Sequence, residues 1–310
     1  MRQTAFLLPL LLCASQFLPA ADPQLMNMVP PDAKVIAGVN VDQAASSPFG
    51  QYVLGLLPSD PNFQQFVSVS GFDPRHDIHE ILVAAVGPEK PASHLFLARG
   101  TFNVDRLLSL APKPHPLSEQ NYNGTRIFSA PGKDGMVFAF PDSNTAVAGD
   151  LASVKASLDR RSQTNSIDAT LAARVSVLSS TLDAWAISTL PFSAMPRMPS
   201  GPNSKSVVSS ELLAKIQQTS GGIKFGDQVH LIGEATTGDA KDATALGDVI
   251  RFVAMMIQNQ APPEAAPVTA LIKNLQVVAE GTTVRMDLAI AENQIESLIA
   301  AGKQRVKPVI

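Results

Sequence analysis

The chain has 310 residues, of which 45% are hydrophobic and 16% are charged. This composition is typical of a globular protein and argues against a disordered or fibrous chain, and the length suits two domains of ordinary size. The formal net charge is -3 and there is no dense run of lysine or arginine, which disfavours a protein that binds nucleic acid or an anionic membrane surface.

The first residues have the pattern of a secretory signal peptide. Arg2 precedes an apolar run rich in leucine, and the small residues Ala20 and Ala21 follow Pro19. A membrane anchor is the alternative, but a spanning helix needs roughly 20 apolar residues and this run is shorter. We therefore expect residues 1–21 to be removed on export to the periplasm or the extracellular space, leaving no stable transmembrane span.

The only cysteine, Cys13, lies inside this segment. Leu12 precedes it where a lipoprotein signal would need a small residue, which disfavours lipidation. The mature chain would then carry no thiol, so disulfides, metal-thiolate sites and cysteine nucleophiles are excluded after export.

An apolar, β-branched run at 32–41 follows two prolines and predicts the first buried strand. Amphipathic helices are predicted after Ser47 and Asp60, the second ending at Gly71. The remaining elements predicted in the first half are strands at 79–86, 94–102, 125–130, 136–140 and 145–148, with a short helix capped by Asn103. Turns this short require antiparallel strands.

The polar segment 160–165 marks a boundary between two units. Asp150 is predicted to cap the helix before it and Ser166 the helix after it. The second unit is predicted to contain a strand at 183–190, a helix at 210–217 leading through Gly221 and Gly222 into a strand at 229–235, a long amphipathic helix, a hairpin around Gly281 and a final helix at 292–301.

The two units share a sequence offset. Shifting the sequence by 151 residues aligns the predicted strand 32–41 with 183–190. The same shift aligns Gly71 with Gly222, His79 with His230, and 125–130 with 276–281. We predict an α+β protein of two related units, 22–161 and 166–310, each a mainly antiparallel sheet with helices packed on one face.

His76 and His79 form the one polar cluster that invites a functional interpretation. Their spacing matches neither zinc-protease helix motif, and Pro74 and the following strand argue against a helix. We interpret them as surface histidines at a strand entrance and expect no metal or cofactor. The sequence also lacks a Gly-x-Ser-x-Gly elbow, a phosphate-binding loop and a dinucleotide fingerprint, so no catalytic residue is predicted.

A loop rich in proline follows the second key strand and carries Phe192, Met195 and Met198. These soft apolar side chains form an adhesive patch for a partner, lipid or apolar ligand if the loop is exposed. The alternative is a loop that folds back over its own domain.

The opening Val-Pro-Pro-Asp-Ala-Lys-Val-Ile-Ala-Gly-Val-Asn, residues 29–40, resembles the start of a loose group of uncharacterised secreted bacterial proteins that form a domain of unknown function. The resemblance implies a location in the bacterial envelope. It supplies no activity and no functional residue.

Three functions from different classes follow. The first is an exported non-catalytic binding or interaction module, which the missing catalytic motifs favour. The second is a carrier of a hydrophobic ligand or lipid, held between sheet and helices or in the groove between the units. The third is a hydrolase with an unrecognised site, which would need His76 or His79 beside a carboxylate in a pocket.

Overall fold

A computed structural model describes residues 21–56, 61–87, 94–109, 117–129, 135–164, 167–192, 209–260, 266–291 and 293–295. Residues 1–20 of the predicted signal peptide, the predicted cap Ser166, Met195, Met198 and most of the predicted last helix lie outside these residues.

The described residues form one antiparallel sheet of twelve strands. These are β1 (Val35–Asn40), β2 (Ile78–Ala85), β3 (His94–Gly100), β4 (Ser118–Tyr122), β5 (Thr125–Ser129), β6 (Met136–Asp142), β7 (Thr145–Asp150), β8 (Ala184–Ser188), β9 (Ile216–Lys224), β10 (Gln228–Thr237), β11 (Leu275–Glu280) and β12 (Thr283–Ala291). Their order across the sheet is β11-β12-β10-β9-β8-β1-β2-β3-β7-β6-β5-β4.

Helices fill the connections. They are α1 (Pro23–Met28), α2 (Val41–Ser46), α3 (Pro48–Leu56), α4 (Pro61–Ser70), α5 (Pro74–Asp77), α6 (Val104–Ser109), α7 (Leu151–Arg160), α8 (Ala169–Thr181), α9 (Ser210–Ala214), α10 (Ala240–Gln260) and α11 (Ala266–Ile272). The predicted α+β class with an antiparallel sheet is confirmed. In the described ranges no helix combines the length and the apolar character needed to cross a bilayer.

The centre of the sheet is the antiparallel pair β1 and β8, the two strands that the sequence offset matched. Ile36 lies opposite Ile187 in this pair, and both side chains are buried. A Cβ atom at Gly38 would lie only 2.6 Å from the Trp185 ring, so glycine makes room for the indole where the two residues pair. Of the polar segment 160–165, residues 161–164 are described and lie between α7 and α8.

Strand order repeats outward from this centre. One half runs β1, β2, β3, β7, β6 and the other runs β8, β9, β10, β12, β11, while β5 and β4 extend the first half. The other residues that the 151-residue offset matches do not occupy equivalent positions in the two halves. Gly71 ends α4 whereas Gly222 lies within β9, and His79 and His230 lie on strands at unequal distances from the centre. The offset matches the segment 125–130, on β5, with 276–281, on β11. In the strand order, however, the counterpart of β11 is β6, because the connections of the two halves differ in length.

Two hydrophobic cores lie on opposite faces of the sheet. The larger core packs α1, α7 and α8 against the face that carries Ile36, Leu82, Trp185 and Ile187, which we call the core face. The smaller core packs α9 and α10 against Ala235 and Val284. Ile232 packs against the larger core and stands three positions before Ala235 in an unbroken register, so the two cores use different faces. In the second half, α8 therefore packs on the core face and α9 and α10 pack on the opposite face.

Several elements differ from the sequence prediction. The predicted helix at 210–217 ends at Ala214, and β9 begins at Ile216 and runs through Gly221 and Gly222. A side chain at Gly222 would collide with the carbonyl of Ala184, so the glycines allow close strand approach and do not form a turn. Helices α1, α2, α5 and α11 and strand β4 were also not predicted, and the argument against a helix at Pro74 was wrong, because α5 is a short helix that contains His76. The cap of α8 is Asp168, whose carboxylate accepts from the backbone N–H groups of Thr170 and Leu171.

Candidate functional site

An apolar band crosses the sheet on the face opposite the core face. Its central members are Ala37, Ala186, Gly221 and Gly233, which lie side by side on β1, β8, β9 and β10. We define the apolar band as this row together with the residues that continue it toward β7 in the same register, Val83 on β2 and Phe96 on β3. Phe96 is 40% exposed, which is a large value for a phenylalanine in the third strand from the centre.

Of the two neighbouring rows on this face, one carries Ser188 and Thr219 between Val35 and Ala235, and the other is apolar. Val39 lies beside Ile81 in one direction, and Ala184 lies beside Ile223 and then Leu231 in the other. Leu231 is 37% exposed. A contiguous, partly exposed apolar surface of this kind marks a binding surface more often than a scattered apolar residue does.

A groove of about 540 Å³ lies at the middle of the band, where β1, β8 and β9 meet. Its lining includes Val35, Ala186, Ser188, Thr219 and Gly221. Ala186, Ser188 and Gly221 have small side chains, whereas Val83 and Phe96 further along the band are larger, so the small side chains create the depression. Trp185 and Ile187 alternate with Ala186 and place their side chains on the core face, which leaves only their backbone in the groove.

The sequence-predicted histidine cluster lies elsewhere. His79 is at the start of β2, and its Nδ1 lies 3.0 Å from Asp42 Oδ1 at partly exposed positions. His76 is exposed on α5, where its backbone N–H donates to the carbonyl of Asp73. The structure thus pairs one of the two histidines with a carboxylate and places neither in the apolar groove. In the described ranges no group of three or more His, Cys, Asp and Glu side chains could hold a metal ion.

The predicted interaction loop is described only at its beginning. Phe192 is 38% exposed, shortly after β8 ends at Ser188. Met195 and Met198 lie outside the described residues, so the choice between an exposed patch and a folded-back loop stays open. The loop nevertheless leaves the sheet from a strand that lines the groove.

A polar cluster that sequence reasoning missed lies next to His79 at the start of β2, on the core face of the strand. The Asp22 backbone N–H donates to both Glu80 carboxylate oxygens, at 3.0 and 3.2 Å. Arg99 Nε lies 3.2 Å from Asp22 Oδ2, and Arg99 also donates to Gln24 Oε1. Burial raises the pKa of Glu80 to about 7, against the lowering effects of the Asp22 N–H and of Arg99. The sequence shows only that Glu80 follows His79; the burial that sets its chemistry comes from packing.

Other charged groups form structural pairs. Glu234 pairs with Arg174 and with Arg285, and Asp183 accepts from Lys224 Nζ at 2.9 Å. Asp183 is almost fully buried and also accepts from the backbone N–H of Phe225, so it ties β8 to the end of β9. These contacts hold strands together and none faces the groove.

Solved structures of TP0453 share this fold. Crystal form III superposes with a TM-score of 0.56 and 10% identity, covering 91% of this chain and 99% of that one. Form I gives 0.51 and 9%, covering 91% and 98%, and form IV gives 0.52 and 8%, covering 90% and 96%. At a sequence identity this low, the structural similarity shows a shared fold and nothing further. No protein-family model and no curated protein matches the chain.

Proposed function

We propose that the protein is an exported, non-catalytic binding protein whose apolar band binds an apolar segment of a partner protein. The observation that carries the proposal is the apolar band itself, with its small-residue centre at Ala37, Ala186, Gly221 and Gly233 and exposed large residues such as Phe96 on the same face. Export rests on the signal-peptide pattern of residues 1–21.

The shape of the groove supports a partner chain as occupant. Sites for small ligands enclose most of the ligand surface, whereas this groove is open along the sheet. Its centre consists of alanine and glycine, which let another backbone or a flat apolar side chain approach the strands closely. The core face carries the buried side chains of the same strands, so occupation of the groove leaves the fold intact.

A carrier of a hydrophobic ligand or lipid is the second candidate. The groove volume of about 540 Å³ favours it, because ligand sites commonly measure roughly 300–1,000 Å³. The two candidates share the same surface and differ in what occupies it.

The test places a photo-reactive amino acid at Ala186, in the exporting bacterium, with Ala173 on α8 as the matched control. Both alanines are exposed, but α8 packs on the core face. We expect a discrete cross-linked protein from position 186 and not from position 173. Ala186→Lys should weaken recovery of the partner from the cell envelope at least about fivefold, since a buried ammonium group costs more than 1 kcal/mol, whereas Ala173→Lys should leave recovery unchanged.

Native mass spectrometry of the same purified protein separates the two candidates. A bound lipid mass that Ala186→Lys removes would favour the carrier. Equal cross-linking at both positions, together with no bound mass, would contradict both. Fractionation of the cells tests export independently, because a chain that stays in the cytoplasm with residues 1–21 attached contradicts the location.

A further inference from the structure

Glu80 is held against the backbone at the junction where the signal peptide would be cut. Both of its carboxylate oxygens accept from one donor, the backbone N–H of Asp22. The preceding nitrogen, that of Ala21, donates to Ser179 Oγ at 3.0 Å. The two nitrogens that signal-peptide removal could expose therefore have different partners, one a carboxylate and the other a neutral hydroxyl.

The charges around Glu80 do not balance in the uncut chain. Asp22 and Glu80 are both acidic, and Arg99 is the one cation that the structure brings to them among the described residues. The Arg99 guanidinium is bound to Asp22 Oδ2, Gln24 Oε1 and Thr145 Oγ1, and it acts on Glu80 only through space. The group of three thus has a net charge of -1 and lacks a cation in contact with Glu80.

We infer that Asp22 is the first residue of the mature protein and that its α-ammonium group is the counter-ion of Glu80. A signal peptidase would add water across the Ala21–Asp22 peptide bond, leaving the carboxylate on Ala21. The amine of Asp22 takes up a proton at neutral pH. The nitrogen that donated one neutral N–H to Glu80 then carries a full charge and three donors, and the local charge becomes zero.

This pairing links export to stability. Charge-assisted hydrogen bonds are roughly twice as strong as neutral ones, and a half-buried carboxylate gains most from a charged partner. Helix α1 packs against the larger core, so the new terminus at Asp22 would anchor α1 to β2. The inference rests on the proposed export but not on what the apolar band binds.

The first measurement is the intact mass of protein exported from the full chain, which should begin at Asp22. The second compares the melting temperature of this chain with that of the same chain acetylated at its α-amine, each with Glu80 or with Glu80→Gln. Acetylation should lower the midpoint by about 3–6 °C when Glu80 is present and by less than about 1 °C in the Gln variant.

A different first residue, or an equal effect of acetylation in both backgrounds, would overturn the inference. If the Glu80→Gln variant fails to fold, a second measurement on the unsubstituted protein still tests the inference. The pKa of the Asp22 α-amine, measured from the pH dependence of its acylation rate, should lie above the ordinary range of about 7.7–8.0, and a value within or below that range also overturns the pairing. Failure of the chain to be exported contradicts the proposed function instead.

Discussion

Burial separates two neighbouring residues of β2 into different chemical environments. His79 turns outward to Asp42, while Glu80 turns to the core face beside Asp22 and Arg99. Because successive side chains of a strand point to opposite faces, the adjacent His-Glu pair in the sequence is not a pair in space. Burial raises the pKa of Glu80 strongly in this position.

Glu80 should make stability pH-dependent in any chain that retains a peptide bond before Asp22. Its pKa is raised from 4.5 to about 7 in the folded state, so the folded protein binds the proton more tightly than the unfolded chain. This contribution is fully present below pH 4.5 and is lost as the pH rises through about 7. In urea titrations across that interval, the free energy of unfolding of the uncut chain should fall by about 1–2 kcal/mol relative to that of its Glu80→Gln variant. Parallel curves for the two proteins would contradict the assignment to Glu80.

At the scale of elements, the sequence was sufficient where the local pattern agrees with the tertiary structure. The turn at Gly281, with φ of +54°, joins the predicted β11–β12 hairpin, and Gly71, with φ of +64°, ends α4. Prediction failed for β9, since Gln217, Gln218 and the glycine pair lack strand propensity. Pairing with β8 on one side and β10 on the other supplies the hydrogen bonds that make this segment a strand.

The N-terminus of α8 gives a direct test of an element boundary. The sequence pointed to Ser166 as the cap, but Asp168 accepts the two N–H groups at distances of 2.9 and 3.0 Å. We expect Asp168→Ala to lower the free energy of unfolding by about 1 kcal/mol, because two first-turn donors lose their acceptor. Ser176→Ala, at an exposed position inside the same helix, should change it by less than about 0.5 kcal/mol. Chemical denaturation of both variants measures the difference, and equal effects would place the cap elsewhere.

At the scale of the molecule, the binding surface comes from register and not from any one segment. Ala37, Ala186, Gly221 and Gly233 are ordinary small residues in four separate strands, and nothing in the sequence marks them as a set. The apolar runs at 32–41 and 183–190 did predict the paired strands β1 and β8, because a buried strand leaves a local pattern in the sequence. Which side chains meet across strands depends on pairings that single-sequence periodicity does not contain.

The larger core includes residues from both halves of the chain, whereas the smaller core contains only residues of the second half. Ile187 is buried opposite Ile36 at the junction, and Leu246 of α10 is buried in the smaller core. Replacing either residue with alanine should lower the free energy of unfolding by about 2–4 kcal/mol. The two substitutions should differ in which strands they destabilise. Ile187→Ala should reduce native-state hydrogen-exchange protection in β1, β2 and β3 as well as β8, because one packed core links them. Leu246→Ala should reduce protection mainly in β10, β11 and β12. If Ile187→Ala left protection in β2 and β3 unchanged, the two halves would be independent folding units that meet only through the hydrogen bonds between β1 and β8.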